Sequence, residues 1–188
     1  MLKKAFLSSL IILTSTFFSA CSNDENDLLA SKEHVLVTLE GKQIVVKQDD
    51  NGFYLDNEKE KLVIFDIFAT WCPPCQASAS HLSSLQEKYK DDLLIVGVTI
   101  EEPERTEEGA LINDKLNSFR IKYNAKYTIV NSDQNSRLVG MITKALEVGP
   151  RFPIPLMAMY KDGKYINHYI GAVQEEFIES DIKRALNK

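Results

Sequence analysis

The 188-residue sequence lacks several features that would define its function at once. It has no basic cluster after Lys4, and its 22 basic and 27 acidic side chains give a net charge of −5, so we expect no nucleic-acid partner. No internal repeat, no low-complexity segment and no apolar run of about 20 residues, the length of a membrane span, is present. The remaining composition, 44% apolar and 26% charged, predicts one globular domain with its own core.

The start of the chain resembles the export signal of a bacterial lipoprotein. Lys3 and Lys4 precede an apolar stretch of 14 residues, 5–18, which is typical of a signal peptide. The motif that follows resembles a lipobox, although its first residue is phenylalanine where leucine is usual: Phe18-Ser19-Ala20-Cys21.

This resemblance predicts how the mature protein begins and where it works. We expect a signal peptide over 1–20, acylation of Cys21 and a polar tether over 21–33. The lipid would hold the protein on the inner or outer membrane, facing the periplasm or extracytoplasmic space. The alternative is ordinary signal cleavage after Ser22, which would leave no lipid.

The three cysteines, Cys21, Cys72 and Cys75, form one close pair if Cys21 carries lipid. The ring closed by Cys72-Pro73-Pro74-Cys75 is too small to tie distant segments together. A lone CxxC in an exported protein is instead typical of a redox couple.

The other residue types that bind metal or haem are few. A structural zinc site needs four Cys or His ligands, and His34, His81 and His168 show no ligand spacing. Gln76 stands where haem attachment requires histidine. We therefore expect no metal and no cofactor.

The hydrophobic pattern predicts an α/β layer fold. Residues 34–46 alternate as a β-hairpin with Gly41 at its turn, and 61–68 and 93–100 are apolar enough for buried strands. The further elements predicted are helices over 73–90, 111–123, 133–147 and 174–187, the last with Phe177 inward, a short strand over 127–130, and a hairpin whose strands are 156–160 and 165–170.

Two separate motifs resemble the thioredoxin superfamily. The first is Trp71-Cys72-Pro73-Pro74-Cys75, preceded by Phe68-Ala69-Thr70. The second is Ile154-Pro155, five apolar residues, Lys161-Asp162-Gly163 and then Gly171-Ala172, which is similar to the thioredoxin segment that holds a cis-proline beside the active site. Together the motifs are most similar to the membrane-anchored TlpA/ResA-like branch.

This resemblance implies a thioredoxin-like fold over 34–188, in which helices flank a central mixed β-sheet. The N-terminal β-hairpin would precede that sheet. The long stretch between Val98 and Pro155 matches the central strand-helix insertion of the TlpA/ResA-like branch, and we expect it to shape a partner surface.

The sequence departs from the usual thioredoxin pattern at three positions. Ser80 stands where the active-site helix usually has proline, and Leu156 replaces the usual threonine after the cis-proline. Gly97 falls where many thioredoxins have the lysine that partners the buried acid.

The cysteines have different expected roles. Cys72 lies at a strand-to-helix junction, where unpaired backbone N–H groups stabilise a thiolate, so we expect it to be the nucleophile. Cys75, one turn further, would be the resolving thiol. Asp66, in the preceding buried strand, is the candidate acceptor for the proton of Cys75, and burial would raise its pKa towards neutrality. The alternative for Asp66 is a hydrogen-bonded structural acid.

Three further residues are candidates for substrate binding. Pro155, if cis, would leave the backbone of Ile154 free to meet an extended substrate. Pro153 is a rival for the cis bond, but only Pro155 has the register with Gly163 that the resemblance requires. Trp71 is predicted to be a flat rim for partner docking rather than a core residue.

An acidic run follows the second buried strand and allows two interpretations. It would be either a selector for basic partners or a solvated charge run, and the second is favoured. Its members are Glu101, Glu102, Glu104, Glu107 and Glu108.

The sequence therefore predicts an extracytoplasmic thiol-disulfide oxidoreductase that works through Cys72 and Cys75. A disulfide reductase for client protein cysteines is favoured. The resemblance implies clients such as apocytochrome c before haem attachment, and a membrane electron donor.

Other functions remain open on the same residues. CxxC chemistry also serves oxidases and isomerases. A function of another class is a copper-binding or copper-delivery module that uses the cysteines as ligands. A redoxin-type peroxidase is disfavoured because no separate peroxidatic cysteine accompanies the pair.

Overall fold

The computed structural model describes residues 32–188, which begin with a three-stranded antiparallel sheet. The predicted hairpin is present as β1 (Glu33–Val37) and β2 (Gln43–Asp49). A third strand, β3 (Gly52–Leu55), pairs with β2 and was not predicted. It follows a tight turn at Asn51, whose N–H bonds the Asp49 carboxylate at 2.8 Å.

A mixed sheet forms the centre of the domain, as predicted. Its five strands are β4 (Leu62–Phe68), β5 (Leu93–Thr99), β8 (Thr128–Val130), β9 (Leu156–Lys161) and β10 (Lys164–Ile170). They lie in the order β10-β9-β4-β5-β8. Strands β4, β5 and β8 are parallel, whereas β9 is antiparallel to β4 and β10 antiparallel to β9.

Helices cover both faces of this sheet, because alternate residues of its apolar strands enter two separate cores. The helices are α1 (Pro73–Lys88), α2 (Asp114–Lys122), α3 (Asn135–Ala145) and α4 (Glu175–Ala185). One core packs helices α1, α2 and α4 against the sheet. The other packs helix α3 and the N-terminal sheet against the opposite face.

Two local predictions were wrong. The helix expected over 111–123 begins only at Asp114, because Leu111–Ile112 form a short strand, β7, that pairs with β6 (Glu104–Arg105). Phe177 is 61% exposed, since the buried stripe of α4 consists of Ile178, Asp181 and Ile182, and Phe177 lies beside that stripe.

The turn after β1 closes one edge of the central sheet. Thr38 forms an antiparallel bridge with Val130 of β8. The N–H of Leu39 donates to the Ile129 carbonyl at 3.1 Å, and the N–H of Asn131 donates to the Val37 carbonyl at 2.8 Å. The N-terminal hairpin is therefore bonded to the central sheet through its turn.

The predicted signal peptide (1–20), the lipidation site Cys21 and most of the predicted tether lie outside the described residues. None of the helices within 32–188 combines the length and apolar character that a bilayer crossing requires.

Candidate active site

Cys72 and Cys75 form a disulfide at the start of helix α1. Strand β4 ends at Phe68, and the short connection that follows brings Cys72 to the N-cap position of the helix. Both cysteines are only 3% exposed, so burial alone does not distinguish the nucleophile from the resolving thiol. Their positions in the helix do distinguish them.

The helix start presents a partial positive charge to Cys72. Its Sγ accepts the N–H of Cys75 at 3.3 Å. Pro73 and Pro74 have no N–H, so Cys75 carries the first backbone donor after Cys72, and the first turn contains no acidic residue. The same position would stabilise a Cys72 thiolate after reduction.

The peptide bond between Ile154 and Pro155 is cis, as predicted, and Pro153 is not the cis residue. Strand β9 begins directly afterwards and pairs with β4, which brings this segment to the end of the sheet where the disulfide lies. The Ile154 carbonyl oxygen is 3.7 Å from Cys72 Sγ. The Pro155 carbonyl accepts the N–H of Gly171 at 2.8 Å, so the two ends of the second motif are in contact.

Exposed side chains surround the buried disulfide. Trp71 is 64% exposed, in agreement with a rim rather than a core position, and Pro73 and Pro74 are also exposed. Leu156, which replaces the usual threonine, is fully buried in the core on the opposite face of the sheet from helix α1.

Asp66 is a buried acid on the face of β4 that helix α1 covers. Its neighbours in the strand alternation, Ile64 and Phe68, pack in the same core as Cys75. Its Oδ2 accepts the hydroxyl of Tyr127 at 3.1 Å, and its buried Oδ1 has no hydrogen-bond partner among the residues described. Burial raises the pKa of Asp66 to about 7, and the hydrogen bond from Tyr127 opposes part of that rise.

Glu101 holds the connection that leads to Cys72. Its carboxylate accepts the N–H of Thr70 at 2.9 Å and the hydroxyl of Thr70 at 2.8 Å. The carbonyl of Thr70 accepts from the side chain of Gln76 at 2.7 Å. Every polar group of Thr70 is therefore engaged, which fixes the backbone just before Trp71.

The acidic run is consequently not one uniform surface. Glu101 is turned inward, and Glu104 forms an ion pair with Lys115. Glu102, Glu107 and Glu108 are exposed. Glu101, which bonds Thr70, fits neither the selector nor the solvated-charge interpretation of the run.

Two contacts of the site, Tyr127 with Asp66 and Glu101 with Thr70, were not predicted from the sequence. A glycine at position 97, inside an apolar strand, was a signal that another group approaches Asp66, but it did not identify Tyr127. The role of Glu101 was not predictable, because nothing in the sequence distinguishes this residue from the other glutamates of the acidic run.

Within residues 32–188, no three side chains of His, Cys, Asp or Glu lie close enough together to hold a metal ion.

Comparison with known proteins agrees with this geometry. The thioredoxin family model matches residues 43–144. The thiol-disulfide oxidoreductase ResA of Bacillus thuringiensis (strain Al Hakam) is 26% identical over 172 residues, which cover 90% of this chain and 86% of ResA.

Solved structures share the fold at low identity. A thiol:disulfide interchange protein of the thioredoxin family from Chlorobium tepidum TLS has a TM-score of 0.63 at 18% identity, over 83% of this chain and 94% of that one. A putative protein disulfide isomerase from Bacteroides thetaiotaomicron has a TM-score of 0.59 at 18% identity, over 84% of this chain and 88% of that one.

Proposed function

This chain belongs to the thioredoxin family and is a thiol-disulfide oxidoreductase, and we propose that it reduces disulfides of client proteins outside the cytoplasm. The observation that carries the proposal is the disulfide at the N-terminus of α1, with Cys72 at the N-cap and the Ile154 carbonyl 3.7 Å from its sulfur. A reactive sulfur and a neighbouring backbone segment that can bind an extended client are the two parts that an exchange site needs.

The proposed reaction has two steps. The Cys72 thiolate attacks a client disulfide, forms a mixed disulfide and releases one client sulfur as a thiolate. Cys75 then gives its proton to Asp66, and its sulfur attacks Cys72 Sγ. The Cys72–Cys75 bond forms, the bond from Cys72 to the client breaks, and the second client sulfur leaves with the electron pair. The client gains two electrons from the dithiol, and a membrane donor then supplies two electrons that reduce the Cys72–Cys75 disulfide again.

The rim around the disulfide supports a role in client binding. Trp71 is exposed beside Cys72, while the backbone of Ile154, next to Pro155, lies against the sulfur. We propose that an extended client segment lies along Ile154 and against the Trp71 ring.

The location and the client are proposed from the sequence. The lipobox resemblance at Cys21 supports a lipid anchor on the membrane, and the resemblance of the two motifs to the TlpA/ResA-like branch supports a client such as apocytochrome c. Mass spectrometry of the mature N-terminus tests the anchor: an acylated Cys21 is expected, and an unmodified Asn23 terminus would contradict it.

The reduction potential tests the direction of the reaction. We would equilibrate the full-length chain carrying Cys21→Ser with thiol buffers, so that Cys72 and Cys75 are the only thiols. A value near or below about −270 mV is expected of a reductase. A value near about −120 mV would instead identify an oxidant that inserts disulfides, and the cytochrome c proposal would fail with it.

Variants of the cysteines test the proposed roles. Cys75→Ser should retain a stable mixed disulfide with a client, because the resolving thiol is absent. Cys72→Ser should form none. A mixed disulfide that is retained through Cys75 in the Cys72→Ser variant would reverse the two assignments.

A further inference from the structure

The absence of a side chain at Gly97 makes room beside the buried acid for the ring of Tyr127. It lies directly opposite Asp66 in the parallel pair of β4 and β5. A Cβ atom at this position would be 2.9 Å from Cε2 of Tyr127 and 3.2 Å from Cε1 of Phe68. The missing side chain is therefore what lets the Tyr127 ring, just before β8, reach across β5.

The Tyr127 hydroxyl bonds one oxygen of Asp66 and leaves the other unbonded. The phenol donates to Oδ2 at 3.1 Å, and both side chains are almost fully buried, at 4% and 3% exposure. Oδ1 is buried without a partner among the described residues. One carboxyl oxygen is thus held in place, and one is available to a proton.

The phenol is the donor to the ionised carboxylate in this pair. Burial and the neighbouring carboxylate raise the pKa of Tyr127 well above its ordinary value. Tyr127 therefore keeps its proton and does not compete with Asp66 for the proton of Cys75. Its hydrogen bond favours the ionised form of Asp66, whereas burial favours the neutral form.

We infer that Tyr127 is the positioning residue of the proton acceptor: its hydroxyl fixes Oδ2 of Asp66 so that Oδ1 can take the proton of Cys75. This inference rests on the proposed role of Asp66. Tyr127 touches neither the client nor the sulfurs in this scheme and acts through Asp66 alone.

Few other titratable groups share this environment. The residues that β5 and β9 place opposite Asp66 are Gly97 and Met157. The other buried carboxyl group within 32–188, Asp181 on α4, is engaged by Asn167 and Tyr169. The titratable side chains packed in or against the same core are Cys72, Cys75 and Tyr89 from α1, Tyr123 from the end of α2 and Tyr169 from β10.

The test measures resolution of a mixed disulfide across the pH range. The reduced full-length chain with Cys21→Ser is mixed with Ellman's reagent. Attack by Cys72 releases one thionitrobenzoate, and attack by Cys75 on Cys72 Sγ releases the second with a rate independent of reagent concentration. The rate of the second release is followed from about pH 5 to about pH 9, a range that brackets the pKa of Asp66.

Tyr127→Phe should move the midpoint of this profile upward by about one pH unit. Loss of one hydrogen bond to the ionised carboxylate raises the proton affinity of Asp66 by about tenfold. The second release would then be about tenfold slower near pH 6 and unchanged near pH 9, and the first release would not change. Tyr89→Phe is the matched control, because its hydroxyl bonds Glu179 rather than Asp66. Gly97→Ala, which displaces the ring but keeps the phenol, should shift the midpoint in the same direction if Tyr127→Phe does not fold.

Three results separate the possible failures. A wild-type midpoint in Tyr127→Phe, or an equal slowing at every pH, would overturn the positioning role while leaving Asp66 as the acceptor. An Asp66→Asn variant that keeps the wild-type profile would instead overturn the proposed role of Asp66, and the inference would fall with it. If Asp66→Asn loses the pH dependence of the second release and Tyr127→Phe shifts its midpoint, the acceptor role of Asp66 and the positioning role of Tyr127 are both supported.

Discussion

Replacing Asp66 with asparagine should stabilise the protein at neutral pH, although it should impair resolution of the mixed disulfide. The change keeps the shape of the side chain and removes its charge. The wild-type protein must either hold an ionised carboxylate in the core or keep that carboxyl group protonated at a pH where the unfolded chain is ionised.

The magnitude follows from the pKa. Burial raises the pKa of Asp66 from its ordinary 3.8 to about 7, a difference of about three units at about 1.4 kcal/mol each. Between these two values the folded protein binds a proton that the unfolded chain has lost. The stability that this proton contributes is full below the unfolded pKa and is lost as the pH rises through the folded pKa, a total loss of about 4 kcal/mol.

The assay is urea unfolding of the oxidised chain, with Cys21→Ser, at a series of pH values. The free energy of unfolding of Asp66→Asn minus that of wild type should rise by about 4 kcal/mol from pH 4 to pH 8. Any free-energy cost of placing the asparagine amide in the core that does not depend on pH cancels when the differences at pH 4 and pH 8 are compared. Asp91→Asn, which changes an exposed acid after α1, is the control and should stay within about 0.5 kcal/mol throughout.

A difference that does not change with pH would refute the reasoning, because it would mean that Asp66 has the same proton affinity in the folded and unfolded chains. A difference that falls with rising pH would show that the folded protein stabilises the carboxylate, and it would remove the basis for Asp66 as a proton acceptor near pH 7.

Three further variants test other contacts by urea unfolding. Glu101→Gln should lose about 1–2 kcal/mol, because its hydrogen bonds to the active-site connection lose their charge, whereas Glu108→Gln, an exposed member of the same run, should lose none. Gly97→Ala should cost about 1–3 kcal/mol, and part of that cost should disappear when Tyr127→Leu removes the ring. Burial and the charge of a nearby arginine lower the pKa of His34 to about 4, so the free energy of unfolding of His34→Leu minus that of wild type should rise by about 3 kcal/mol as the pH falls from 6.5 to 4.

Much of the central sheet could be predicted because its strands and motifs are local. Strands β4 and β5 are apolar runs, and the two prolines between the cysteines mark the start of α1. Strand β3 was missed because only one turn separates it from β2. The Asn51-Gly52 pair at that turn is itself a hairpin signal that could have found it.

The contacts of the site were less predictable because they join distant segments. Asp66 and Tyr127 are 61 residues apart, and Thr70 and Glu101 are 31 apart. Each pair forms only when β5 or β8 takes its place in the sheet. The sequence indicated that Asp66 would be buried, but the group that fills the space at Gly97 depends on the order of the strands.

The bond between the N-terminal hairpin and β8 has a practical consequence for any shortened form of this protein. A chain beginning at Gln43 would keep Cys72, Cys75 and helix α1. It would lose β1 and the turn that is bonded to the edge of β8. The free N–H and C=O groups of two strand edges would then face solvent, where they can pair with the same edges of another molecule. Such a chain should aggregate or form dimers through its strands, even though every residue of the exchange site is still present.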